Sequence, residues 1–301
     1  MSSKPVQPSI PVHSLAASTD QQQKIELHLP IKYPSADPAQ LLADASGLSK
    51  QVIKKCMQLG AVWHSHGKQT SRLRRAKKAI AAGDELHLYY QQHILHEQVP
   101  DAKLLFDETD YSVWYKPYGM RCQGSKWSDH TTIDRYVSLH IQPQRSAYLI
   151  HRLDRAATGL IVLGHNKKTT AAIAKSFEQR QINKAYEVIV EGKFPEGLQT
   201  INSDVDGKKA LSHASLLEYH PTLNQSKVSV KIDTGRKHQI RIHMASLGHP
   251  VVGDRLHGNG NETSPNLQLT SCLLSFTCPV SHQLKQFELP EALRPKFVTQ
   301  R

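Results

Sequence analysis

"YLIHRLDRAATGLIVLGHN", residues 148–166, joins two unlike kinds of chain. Gly159 to Gly164 is an unbroken apolar run of strand length, the pattern of a strand covered on both faces. Just ahead of it stand His151, Arg152, Asp154 and Arg155, one carboxylate among three potential cations. On an open surface such a cluster means a weak ion pair. At the mouth of a buried strand solvent is limited and neighbouring cations hold a carboxylate ionised. Asp154 therefore reads as a candidate nucleophile or general base.

The chain around this stretch mixes element types. "NKAYEVIVEG" (183–192) and "KVSVKID" (227–233) read as strands, the second alternating Val228, Val230 and Ile232. "NKKTTAAIAKSFEQRQ" (166–181) reads as a helix burying Ile173, Ala174 and Phe177. "RKHQIRIHMASLGHP" (236–250) reads as another, with Ile240, Met244 and Leu247 on its apolar side and Gly248 and Pro250 as its stop. Several strands follow one another without an intervening helix. The expectation is an α+β fold whose mixed, mainly antiparallel central sheet is flanked by helices that form a cleft.

A second charged stretch precedes that last helix. Arg236, Lys237, His238 and Arg241 fall in its expected first turns, after Thr234 and Gly235. Helix N-termini draw anions, whereas cations there oppose the dipole, so the choice points to a purpose other than helix stability. In 183–192, Lys184 and Tyr186 share a strand face, and a tyrosine beside a charge cluster can stack on a base.

Nearer the N-terminus, "SGLSKQVIKKCMQLGAV" (46–62) predicts a helix capped by Ser49 and ended by Gly60, with Val52, Ile53, Cys56 and Leu59 on its apolar stripe. Lys50, Lys54 and Lys55 take the other side. "RLRRAKKA" (72–79) then gathers Arg72, Arg74, Arg75, Lys77 and Lys78 before a turn and an alternating strand, "GDELHLYY" (83–90). Two basic runs in one small unit predict contact with RNA.

Composition agrees. In 301 residues, Lys and Arg number 38 against 26 Asp and Glu, a net charge of +12 that favours a polyanionic partner. The four cysteines, Cys56, Cys122, Cys272 and Cys278, form no C-x-x-C pair, so reduced thiols are expected. His64/His66 and His93/His96 lack a completing Cys or carboxylate set, and no metal site is expected. No dinucleotide fingerprint or phosphate-binding glycine loop is present, so no cofactor is expected. Nothing approaches the roughly 20 apolar residues of a membrane span, and no signal peptide is visible. The expectation is a cytoplasmic monomer without membrane contact. Its expected parts are a loose polar arm (1–36), a small α/β RNA-binding domain (37–97) and a catalytic domain (98–301).

Two resemblances sharpen this. The order helix, "GAV", basic stretch and "AAGDELHLYY" resembles the small RNA-binding module of ribosomal protein S-four. "YKPYGM", "HRLDRAATGL", "KAYEVIVEG" and "TGRKHQIRIHMASLGHPVVGD" resemble, in order, the motifs of the RluA family of pseudouridine synthases over about residues 105–290. That likeness implies Asp154 as the catalytic carboxylate, Arg152 beside the flipped nucleotide, Tyr186 against the target base and Arg241 paired with the aspartate. It departs at Ala157-Thr158-Gly159, where the family usually has Thr-Ser-Gly, and at "LQLTSCLLSFTCP" (267–279), where Thr270, Ser271 and Cys278 replace the usual histidines and alanine.

The expected activity is isomerisation of specific uridines in large-subunit ribosomal RNA. The alternatives are the same chemistry on tRNA, or an RNA-binding assembly factor without activity. Hydrolysis of the glycosidic bond would need a second carboxylate, and neither Asp233 nor Asp254 stands in a catalytic pattern. Asp154, Tyr186 and Arg241 are the catalytic candidates. The RNA-binding candidates are His151, Arg152, Arg155, Lys184, Arg236, Lys237 and His238, with Lys50, Lys54, Arg72, Arg74 and Arg75 in the N-terminal unit.

Overall fold

The structure is a computed structural model and describes residues 24–298. The first unit runs β1 (Lys24–Pro30), α1 (Pro38–Ser46), α2 (Lys50–Leu59), β2 (Val62–His66), β3 (Gln69–Arg72), β4 (Glu85–Gln91) and α3 (Gln92–Leu95). Its four strands lie in the order β1-β4-β2-β3, antiparallel throughout. The predicted second helix forms as read. Ser49 Oγ accepts from the Val52 amide, and Gly60 ends the helix at φ 83°. Ile53, Cys56 and Met57 are buried against Leu42, Leu86 and Leu88.

The expected arm over 1–36 has to be shortened. Ile25, Leu27 and Leu29 turn inward at alternate positions, and β1 pairs with β4 along its whole length. Residues 1–23 of that arm lie outside the described residues.

The second unit holds β5 (Lys103–Asp107), β6 (Tyr111–Lys116), α4 (Ile133–His140), β7 (Tyr148–Leu149), β8 (Thr158–Gly164), α5 (Lys167–Glu178), β9 (Asn183–Glu191) and β10 (Leu198–Asn202). It continues through β11 (Leu211–His220), β12 (Gln225–Ile232), α6 (Gln239–Ser246), β13 (Leu269–Thr277) and β14 (Leu284–Glu288). The main order is β10-β11-β12-β9-β13-β8-β6-β5. Its only parallel pairing among the named strands joins β8 to β13. This is the expected antiparallel-rich α+β sheet.

Strand β8 is the support on which the site stands. Leu160 and Val162 pack into one core layer with Ile173 of α5, and Ile161 and Leu163 into the other with Tyr186 and Val188. All four are fully buried, each stabilising the fold by about 1.5–3 kcal/mol. At its start, Gly159 has φ 103°, and a Cβ there would lie 2.3 Å from the Ser271 carbonyl oxygen. Only glycine lets β13 come this close. The two departures from the family pattern meet here: Thr158 Oγ1 lies 2.9 Å from Thr270 Oγ1.

The last helix is shorter than its apolar spacing predicts. α6 begins at Gln239, so Arg236 and Lys237 sit in the preceding turn, and His238 precedes the helix in the left-handed conformation, φ 56°. Ile240 and Met244 are buried, but Leu247 is 39% exposed and lies past the helix end, beside Gly248 at φ 80°. The Thr234 hydroxyl donates to Gln239 Oε1, and the Arg236 amide donates to the same oxygen, which fixes this entry. Among the described residues, no helix is long and apolar enough to cross a membrane.

Candidate active site

Asp154 stands in the loop between β7 and β8, and residues 116–122 grip that loop from both sides. The Cys122 thiol donates to the Leu153 carbonyl (3.3 Å) and accepts from the Leu153 amide (3.2 Å). On the other flank, the Gly119 amide donates to the Arg155 carbonyl, and Lys116 Nζ reaches the carbonyls of Pro117 (3.1 Å), Met120 (2.9 Å) and Arg155 (3.4 Å). Lys116 is fully buried, and burial pulls its ammonium down to about 8. It still carries a charge at neutral pH, aimed at three carbonyl oxygens.

The Asp154 side chain is 24% exposed, with Arg241 Nη1 at 3.6 Å and His238 Nε2 at 3.9 Å from its Oδ2. These are ion-pair distances rather than tight hydrogen bonds. Arg241 is held from behind. Its Nε and Nη2 donate to the two oxygens of Asp254 at 2.7 and 2.5 Å, a bidentate pair with both partners buried. The Leu256 and His257 amides also donate to Asp254 Oδ1. Burial disfavours the Asp254 charge, but these hydrogen bonds and the guanidinium outweigh it and hold the carboxyl below the usual range. Arg241 likewise loses to burial but gains more from Asp254 and Asp154, and its pKa is raised. A fixed positive charge thus faces a carboxylate that remains open on its other side.

Three cavities meet at Asp154, of about 680, 320 and 90 Å³. Tyr186, in register with Val230 and Ser271, forms part of the wall of the largest and the smallest. Burial first, then the Asp154 charge, push its phenol well up, so it keeps its proton at neutral pH. It can stack or donate, but it is a poor proton acceptor. Arg152, Lys184, Arg236 and Lys237 line the largest cavity as well. Such a site suits a phosphodiester chain that delivers one nucleoside to a carboxylate.

The RNA pseudouridylate synthase family profile matches residues 110–246. The dual-specificity RNA pseudouridine synthase RluA of Salmonella typhimurium is 31% identical over 215 residues, 64% of this chain and 94% of that protein. The chain belongs to the RluA family of pseudouridine synthases. It is accordingly an isomerase that converts uridine to pseudouridine in RNA. A large-subunit pseudouridine synthase D from Zymomonas mobilis is 25% identical over 287 residues, covering 83% of this chain and 89% of that one. The fold resembles human RNA pseudouridylate synthase domain containing 1, with a TM-score of 0.56 and 24% identity over 68% of this chain and 93% of that one.

Within this family frame, several expected RNA contacts already have partners within the chain. His151 Nε2 accepts from the Val162 amide at 3.0 Å, and the ring stacks on Phe177 at 4.3 Å. Burial pulls its pKa down to about 3, so it stands as a neutral brace for β8 in the wall of the largest cavity. Arg155 pairs with Glu97, which also takes Arg121. Arg72 and Arg74 both converge on Asp129 of the second unit, and Arg72 also donates to the Ser125 carbonyl at 2.8 Å. Lys50 pairs with Asp37. Lys54 and Arg75 are exposed as expected. Arg236 keeps its place at the cavity while its Nε donates to the Lys209 carbonyl at 3.1 Å.

Sequence reasoning missed Asp254, Lys116, Cys122, Glu97 and Asp129. Asp254 and Lys116 lay inside the quoted motifs, and their burial was the hidden quantity. Asp129 and Glu97 act between units, and no local pattern reports that.

Proposed function

We propose that this RluA-family enzyme acts on a uridine of large-subunit ribosomal RNA, with Asp154 as its catalytic carboxylate. One observation carries the residue assignment: Asp154 lies where three cavities meet, with a guanidinium 3.6 Å behind it that Asp254 prevents from closing fully on it. The target uridine must leave its stack, at a cost of about a few kcal/mol. Arg152, Lys184 and Lys237 offset part of that by meeting the displaced backbone, and stacking on Tyr186 contributes about 1–3 kcal/mol.

The reaction breaks the bond from C1′ to N1, turns the uracil and rejoins it at C1′ through C5. Asp154 either attacks C1′ or removes a ribose proton. After rejoining, the proton on C5 leaves and N1 gains one, so composition and oxidation state are unchanged. Tyr186, which holds its proton, suits the donor end of a relay rather than the base that takes the C5 proton. The ribosomal target rests on relatives named as large-subunit pseudouridine synthase D. The residue 37–97 unit is proposed as an RNA-binding module, with Lys54, Lys55, Arg75 and Lys77 among its exposed cations.

Mapping pseudouridine in ribosomal and transfer RNA from cells with and without the gene tests the target. The expected result is one or a few sites lost from large-subunit RNA and none from tRNA. Loss confined to tRNA overturns the ribosomal assignment while leaving the chemistry intact.

A further inference from the structure

The outer face of the N-terminal sheet carries a cluster that the isomerase reaction does not use. His28 on β1 and His87 on β4 are direct cross-strand partners, and their Nδ1 atoms face each other at 2.7 Å. Each ring is oriented through its other nitrogen. His87 Nε2 lies 2.7 Å from Ser65 Oγ, and His28 Nε2 lies 3.5 Å from Glu26. With Nε2–H donated outward on both rings, both Nδ1 atoms present lone pairs to one point. An Nδ1–H on one ring would bridge the pair as a plain hydrogen bond, whereas with both protons on Nε2 the two lone pairs converge and can share a metal ion. Glu85, two residues before His87 on the same strand face, brings a carboxylate 3.9 Å from His87 Nε2, and one ligand atom from each of the three residues lies within 4.8 Å of the others.

We propose that His28, His87 and Glu85 bind a divalent transition-metal ion of the zinc type, clipping β1 to β4. Two imidazoles and one carboxylate are a known donor set for zinc with an open fourth position, and outer hydrogen bonds of this kind fix ligand tautomers. Zinc–nitrogen bonds of about 2.05 Å at a tetrahedral angle need the ring nitrogens about 3.3 Å apart, an opening of roughly 0.6 Å. Exposed His28 supplies it by a small rotation. The two histidines are 59 positions apart, so no ligand spacing marks the site in the sequence.

The test is titration of untagged, chelator-stripped full-length protein with cobalt(II), followed by displacement with zinc(II). The expected result is one saturable cobalt site per chain with tetrahedral absorption, and a higher unfolding temperature with either metal. His28→Ala and Glu85→Gln should each weaken binding by about 100-fold, and Ser65→Ala by about tenfold. Circular dichroism confirms that each variant folds. Equal binding by His28→Ala and the parent overturns the proposal, because other histidines then hold the metal. Absence of saturable binding overturns it too, and leaves an N–H···N hydrogen bond between the rings.

Discussion

Asp254 holds Arg241 in place, and that division of labour separates charge from position. A guanidinium closing freely on Asp154 would fill the carboxylate's open side; the bidentate grip of Asp254 fixes it 3.6 Å away. Asp254→Asn keeps the shape and removes the charge that anchors Arg241. We expect kcat to fall about 10–100-fold, as for a misplacement near 1 Å, with KM almost unchanged. Steady-state kinetics on a defined RNA checks this, and a rise in KM at constant kcat would assign Asp254 to substrate binding instead. Lys116 and Cys122 act in the same manner on the backbone, gripping the residues on either side of Asp154.

Between elements, the loop that grips Asp154 is also the loop on which the N-terminal unit docks. Asp129 accepts Arg72 and Arg74, its amide donates to the Leu59 carbonyl, and Cβ atoms at Gly60 and Gly124 would collide with its side chain. A few residues earlier in that loop, Cys122 touches Leu153. Asp129→Ala leaves two largely buried guanidinium groups without their carboxylate. The expected cost is about 2–3 kcal/mol, somewhat below that of a fully buried pair. Hydrogen exchange should quicken in residues 121–132 and 151–156, and unchanged protection there would show that docking and the Asp154 loop are independent.

These contacts also mark how far the sequence could be read. The strand at 158–164 and the helix from Lys50 to Leu59 follow from local periodicity and caps, and both form as expected. Strand β1 shows the same alternation and was masked by the polar chain before it. The start of α6 was misplaced because a left-handed His238 leaves no mark in apolar spacing. Arg72 and Arg74 carry the same charge whether they face RNA or Asp129, so composition alone could not separate the two.

Across the protein, both units carry exposed cations. Exposed Lys54, Lys55 and Arg75 lie on the first, and the cavity cations Arg152 and Lys237 on the second. With a net charge of +12, the chain gains affinity for any RNA by counterion release, and that affinity carries little information about chemistry. Binding and turnover must therefore be measured separately. The most direct test is tritium release from C5-labelled large-subunit RNA by Asp154→Asn, with RNA affinity measured in parallel at fixed salt. We expect no detectable release and an affinity within about twofold of the parent, since one isosteric change adds no phosphate contact. Release at the parental rate would remove Asp154 from the reaction.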